Sequence, residues 1–528
     1  MKQNKTLLFT RLAVTVILIF SFCGNALAII EFYDGKLKLD GFVKESIFYR
    51  TQMKSEDKKF HDNSVDYDVT AGLFEALYTF KEDDAFTLRG FAGLKYWWEK
   101  ATMFDDKLDR YIPRRDKRDY ERPRDFDDDI LTEAYIDYIN GPLQIKVGKQ
   151  IVIWGQLDIQ RVADVVNPID LRKGSPGIDT WEEVKRGLWM IRTLYKTQLP
   201  GDLQFEGIFN PGDYRGIEIP YEGTHYGGEH AATNPFTPGP DFGILSWQSQ
   251  KWRRDAPGWN LKDNYEFGFR TTGFTWDIDW TLLYWNARDD GPCMDPRQIT
   301  PYTLQYITAG IKSSMLGRSF NPPDISDYKK RVYAYKRYST LGGTAQTVIK
   351  PLWDTVWRFE WYYERNRPMN FGTDGNKSAT YGWTRRNILG GAVQCSKYLK
   401  IPWFTESFLA NNALTSVSLT YFYEKIFNFK NDLVVDDRNH KAGASSTDQL
   451  ILFVQQDIMS GTFMFVFTGN YYLRIKKWMA VPSISYVMPG KHWRLDVGYV
   501  AYGVGRYDYI GRTTDSKDSI FTRLRYEF

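Results

Sequence analysis

Cysteine is scarce in this chain of 528 residues: Cys23, Cys293 and Cys395 are all it has. That scarcity excludes a disulfide-stapled scaffold and a zinc-ribbon type of site. Cys293 sits in a stretch rich in Pro and Asp, and Cys395 shares a strand face with Val393, so separate thiols are expected. A disulfide between them is the alternative in an oxidising compartment. Histidine is also thin, with five in the whole chain, and no Gly-x-Ser-x-Gly elbow accompanies them. Little is left for nucleophilic catalysis. His225, Glu229 and His230 share a Gly-rich loop, but no further ligand is spaced for a tetrahedral metal. No catalytic residue, metal or cofactor is therefore expected. Beyond Ala28 there is no run of about 18 apolar residues, which excludes a helical membrane protein. A surplus of one charge is missing too. The formal net charge is +4, and Lys2, Lys5 and Arg11 carry three of it. A balance this close to zero gives no argument for nucleic acid or another polyanion as partner.

Aromatics, by contrast, are abundant at 16% of residues, although the mean hydropathy is −0.47. A transmembrane β-barrel reconciles the two. Only alternate strand residues meet lipid, and aromatic girdles ring both interfaces. The last nine residues read that way. Ile520, Thr522, Leu524, Tyr526 and Phe528 share one face, and Phe521, Arg523, Arg525 and Glu527 the other. Tyr526 and Phe528 also resemble the C-terminal aromatic signal that barrel-assembly machinery recognises. Similar alternation runs through Trp353–Glu364, Trp276–Tyr284 and Phe463–Leu473. Period 2 sustained for about 9–12 residues is the length that crosses a bilayer at a tilt.

The N-terminus fits the same compartment. Lys2, Lys5 and Arg11 precede the apolar run Leu12–Phe20, and Ala26-Leu27-Ala28 is a small-residue cleavage site. Residues 1–28 are expected to be a signal peptide, and 29–528 one barrel in the bacterial outer membrane. Short turns are expected at Lys81–Ala85, Asn140–Pro142, Leu199–Asp202, Gly273, Lys350–Leu352, Ser460–Gly461 and Pro489–Gly490. Long loops cover 99–129, 150–186, 210–262, 286–329, 365–382 and 429–446. This spacing predicts an all-β antiparallel barrel of about 18 strands, with 16 as the alternative, because bacterial barrels take even numbers. A propeller would need a repeat of about 40–50 residues, and none is visible.

The polar strand faces should line the lumen. They carry Lys146, Arg270, Asp277, Asp279, Arg358, Glu360, Arg494, Asp496, Arg523 and Arg525. Many such charges serve as cross-strand pairs, so the face is more informative than any single charge. The loop 150–186 is too apolar for a solvated external loop: Ile151, Val152, Ile153, Trp154, Val162, Val165, Val166 and Ile169 need burial. Burial inside the barrel would narrow it. Gln150, Trp154, Gln156, Asp158, Arg161, Asp164, Asn167, Asp170 and Arg172 would then face solute, with Asp170 capping a short helical turn. An inert structural plug is the competing reading. The charge-dense stretch 105–129 reads as a solvated external loop, with calcium at Asp127–Asp129 or lipopolysaccharide phosphate as functional alternatives.

One run resembles a known family. Gly148, Lys149, Gln150, Trp154 and Gly155, followed by Asp164, Val165, Asn167, Pro168 and Asp170, resemble the signature of an uncharacterised family of large Gram-negative outer-membrane proteins. That family is known only as a domain of unknown function, and its members are similar to alginate-export and porin-type barrels. The resemblance implies an outer-membrane channel for a small, amphipathic or hydrophobic solute. It also implies lipid and lipopolysaccharide as surroundings and an inner-membrane exporter as a partner. Surface adhesion or lipid hydrolysis by a closed barrel is the other class, for which Trp247, Trp252 and Trp259 in the external loops would serve equally.

Overall fold

The computed structural model describes residues 29–53, 61–112, 114–174, 178–218, 224–225, 256–291, 293–294, 333–350, 354–372, 380–411, 413–430, 433–434, 445–474, 476–490, 492–503 and 517–528. The expected signal peptide, Trp247, Trp252, Glu229, His230 and Trp353 lie outside them.

Eighteen antiparallel strands close into one ring. In chain order they are β1 (Leu37–Arg50), β2 (Val65–Glu82), β3 (Thr87–Glu99), β4 (Leu131–Asn140), β5 (Leu143–Gln150) and β6 (Leu188–Lys196). Then come β7 (Gln204–Asn210), β8 (Glu266–Thr275), β9 (Ile278–Arg288), β10 (Arg337–Ile349), β11 (Thr355–Gly372) and β12 (Thr380–Leu399). The ring finishes with β13 (Thr415–Ile426), β14 (Ser446–Ile458), β15 (Phe463–Tyr472), β16 (Trp478–Val487), β17 (Trp493–Gly503) and β18 (Ser519–Glu527). Each strand pairs with its sequence neighbour. The seam is β1 against β18, in register from Phe42↔Glu527 to Arg50↔Ser519. Past the paired residues, Gly41 and Phe528 exchange both backbone bonds at 3.1 Å. Closure leaves no unpaired edge, which is the general solution to edge-strand pairing.

Alternation gives the ring two chemically different faces. Phe74, Leu94, Phe269, Leu282, Leu419 and Ile520 are exposed on the outer wall. Positions between them turn inward, and there Phe48, Val69, Trp97, Val500 and Phe521 form one buried cluster. An apolar outer surface of this extent is what a hydrocarbon environment selects.

One end of the ring has mainly short turns, the other the long connections. The turn between β8 and β9 differs from the expected one at Gly273. Trp276 and Asp277 form it, both with positive φ, at 54° and 59°. Two left-handed central residues match the twist of a hairpin. Gly273 sits inside β8 opposite Trp280, and a Cβ there would come within 2.6 Å of the indole. Asp277 therefore belongs to a turn and not to the lumen face. Two stretches expected as loop are strand: β11 continues to Gly372, and β12 resumes at Thr380. The turn between β12 and β13, not foreseen, holds a short helix at Pro402–Thr405.

Candidate functional site

The connection between β5 and β6 contacts side chains of several strands. Its start is set by Gly148, whose φ of +139° would bring a Cβ to 2.1 Å from the carbonyl oxygen of Ala134. Only glycine fits there. Lys149 follows and reaches the backbone carbonyl of Asp127. Gln150 then turns its amide back into the strand pair, donating to Met190 O at 3.1 Å and Gly148 O at 3.3 Å.

Within the connection, Asn167 is fully buried and ties three segments together. Its Oδ1 accepts from Val152 N at 2.7 Å, and its Nδ2 donates to Gln150 O at 3.0 Å and Arg186 O at 2.8 Å. Asp164 accepts from Trp154 N at 3.3 Å and pairs with Lys185. Arg161 donates to the carbonyls of Asp164 and Asn167. Val152, Trp154, Ala163 and Val166 pack with Leu188, Met190, Ile208, Leu283 and Trp285, which are inward-facing on β6, β7 and β9. The Trp154 indole N–H donates to Glu206 on β7 at 3.1 Å.

From this base the connection grips two other arcs of the ring. On β11, the Glu360 carboxylate accepts three backbone N–H groups, from Gln156, from Leu157 at 3.0 Å and from Ala163 at 2.8 Å. Gly155 makes room for it: a Cβ there would lie 3.4 Å from both Glu360 oxygens. Asp158 accepts from Arg358 at 3.5 Å and from Gln394 on β12 at 2.5 Å. At the seam, Asp179 takes Lys44 of β1 at 3.1 Å and Arg523 of β18 at 2.8 Å. Glu183 takes Lys44 and, at 3.4 Å, Arg525.

A second layer sits over this one. In the segment 99–130, Asp105 caps a helix at Asp106–Tyr111, and Phe126–Ile130 forms a turn of π-helix. Asp127, Asp128 and Asp129 do not behave as a solvated acidic run. Asp127 pairs with Arg215 at 2.6 Å, Asp128 with Arg215 at 2.6 Å and with Arg186, and Asp129 with Arg172 at 2.9 Å. Each carboxylate meets a cation distant in sequence, so the run is a clamp rather than a calcium site, and the described residues contain no cluster suited to a metal. Arg172 also holds Asp170 through both oxygens, at 2.9 and 2.8 Å. Asp170 closes a turn onto Arg172 N at 3.0 Å and caps no helix. Burial by itself would raise the Asp170 carboxyl. The Arg172 guanidinium outweighs it, and the group is held at about 2.

The expected site residues thus divide. Gln150, Trp154, Asp164 and Asn167 are buried in the connection's own framework, so the expectation that they face solute is corrected. Their polar groups are spent within the protein, on backbone for Gln150 and Asn167, on Glu206 for the Trp154 indole, and on Trp154 N and Lys185 for Asp164. Asp158 keeps a half-exposed side chain. Gln156, Arg161, Asp170 and Arg172 are partly exposed. On the strands, Arg270 pairs with Glu206 at 2.5 Å and Arg494 with Asp496 at 2.6 Å. Lys146 lies over the Tyr135 ring, and Asp279 is exposed at the turn end of β9. His225 lies 3.2 Å from both Asp66 oxygens, with its ring tilted at 46° to that of Phe48. Sequence reasoning missed Asp179 and Glu183, which nothing local distinguishes from the other charged residues of 158–186. Beside the seam, a cavity of about 190 Å³ is lined by Phe42, Leu73, Glu75, Lys95 and Ile153.

Residues 11–528 match the profile of a protein family described as "Protein of unknown function (DUF1302)". No curated protein matches the chain. Among solved structures it is similar to OccAB3 of Acinetobacter baumannii, at 11% identity and a TM-score of 0.46, covering 93% of this chain and 99% of that one. A BenF-like porin of Pseudomonas fluorescens Pf-5 gives 10% and 0.45, covering 93% and 98%. Pseudomonas aeruginosa OpdK, solved with vanillate, gives 8% and 0.43, also covering 93% and 98%. These likenesses concern outline only, and the fold rests on the closed ring itself.

Proposed function

The chain belongs to the DUF1302 family, and on that footing we propose that it is an outer-membrane channel for a small or amphipathic solute, narrowed by the 150–186 connection. The carrying observation is the reach of that connection. It leaves the ring between β5 and β6, yet Glu360 on β11 and Lys44 and Arg523 at the β1–β18 seam all hold it. Three anchoring arcs on one ring support a course across the lumen. A ring of 16–18 strands is too wide for its own side chains to fill, so an inward segment sets the remaining bore. Asp158, its side chain half-exposed beside Arg358 of β11, is a part of it that faces solute.

Outside, the apolar belt meets lipid, and Tyr526 and Phe528 face outward on the closing strand, where assembly machinery would meet them. An inner-membrane exporter is the partner that such a channel would serve.

The test is single-channel conductance of the refolded protein in a planar bilayer, beside a variant with residues 156–182 replaced by a short Gly/Ser linker. Discrete steps that enlarge in the variant are expected. Silence from both, with folding confirmed by heat-modifiable gel mobility, would remove the channel reading and leave a closed barrel with a surface role.

A further inference from the structure

The lumen is chemically lopsided. Along one side, inward charges are dense, and the connection or a neighbouring strand answers them. Asp179 sits between Lys44 and Arg523, and Glu206 sits between Arg192 at 2.7 Å and Arg270 at 2.5 Å. The opposite side, β13 to β16, is different. Register fixes which residues face in: Phe453 lies opposite Thr468, Gln455 opposite Val466, and Val466 opposite Ser483. Of the described inward positions on these four strands, only Glu424 and Asp457 carry charge. Glu424 accepts from the Tyr362 hydroxyl, and Asp457 stands at the turn end of β14. Between them the wall is apolar and neutral-polar in alternation, with Phe453, Gln455, Met464, Val466, Asn470 and Ser483 all half-buried. The connection's Leu157 and Val162 pack with Phe422 and Ile426 of β13, and its Ile178 packs on the cluster that holds Val481 of β16, whereas its described hydrogen bonds and ion pairs go to strands other than β14 and β15.

We propose that solute passes along the inward face of β14 and β15 and is an uncharged amphipathic organic molecule; this rests on the channel reading above. A charged solute stripped of part of its water on this wall would find no counter-charge, and desolvation without compensation is costly. An uncharged solute finds apolar contact at Phe453, Met464 and Val466, and neutral hydrogen-bonding groups at Gln455, Asn470 and, opposite Val466 on β16, Ser483. Across the lumen, Asp179 is paired with Lys44 and Arg523, and Glu206 with Arg192 and Arg270, which reduces their net pull on an ion.

The test uses the full-length refolded protein in liposomes, with phenyl glucoside and phenyl glucuronide as probes of like size. Swelling should be about tenfold faster with the neutral probe. The reversal potential in a KCl gradient should show weak discrimination between cation and anion. Ser483→Arg should shift that potential towards anion selectivity, whereas an arginine on the outer wall, Ile484→Arg, should not. Equal or faster swelling with the glucuronide, or strong ion selectivity of the unaltered protein, would overturn the proposal and leave the channel standing. No conductance and no swelling with either probe would remove the channel reading, and this proposal with it.

Discussion

Asn167 does for the inner connection what a backbone turn could not. One buried amide closes three gaps at once, to Val152, Gln150 and Arg186, at 2.7–3.0 Å. Truncating it would leave a backbone N–H and two carbonyls unanswered away from water. Asn167→Ala should therefore loosen the connection by roughly 3 kcal/mol. Limited proteolysis of the refolded barrel would report this as new cleavage within 150–186. Asp158→Ala, which removes a half-exposed carboxylate, should leave the cleavage pattern unchanged. The same residue explains why the sequence misled at this scale. An Asn beside Pro in a loop reads as polar surface, and so do Gln150 and Asp164. Whether such a group faces solute or backbone depends on partners 10 to 40 positions away, which a linear pattern does not contain.

At the scale of elements, two connections are bolted together. The π-helical turn at Phe126–Ile130 supplies three carboxylates, and Arg172, Arg186 and Arg215 from other segments take one or two each. Asp170 completes the bolt. Its carboxyl is held at about 2, below an ordinary value of 3.8. A depressed carboxylate stabilises the folded arrangement above its unfolded value, and that contribution is lost as pH falls through the folded one. Protease protection of 150–186 should thus stay level from neutral pH to about 5 and decline between about 4 and 2. Asp170→Asn should lower protection at neutral pH and flatten the acid decline. A decline unchanged in that variant would assign the effect to Asp127–Asp129 instead. The strands were legible because period-2 alternation is a local property, and β14, β15 and β18 follow it closely. The Trp276–Asp277 turn was not, since a Trp with positive φ is tolerated only because the hairpin on both sides fixes it.

Considered whole, the molecule is a ring whose outer wall, seam and alternation could be read from the chain, and whose interior could not. Closure follows from an even number of alternating strands with apolar outer faces. The interior depends on pairings such as Glu360 with Leu157 and Ala163, made between residues about two hundred positions apart. Composition shows that charges of both signs face inward. It does not show that they are spent on holding the connection along one side, with Asp457 the one described inward charge on β14 and β15.

If this connection stands in a conducting path, Asp158, with its half-exposed side chain, is a point at which that path can be blocked. The direct measurement is thiol modification of Asp158→Cys during single-channel recording, with Cys293→Ser and Cys395→Ser in the background. A bulky cationic methanethiosulfonate should cut the unit conductance in discrete steps, and reduction should restore it. A labelled channel whose unit conductance is unaltered, with labelling verified by mass, would contradict the account.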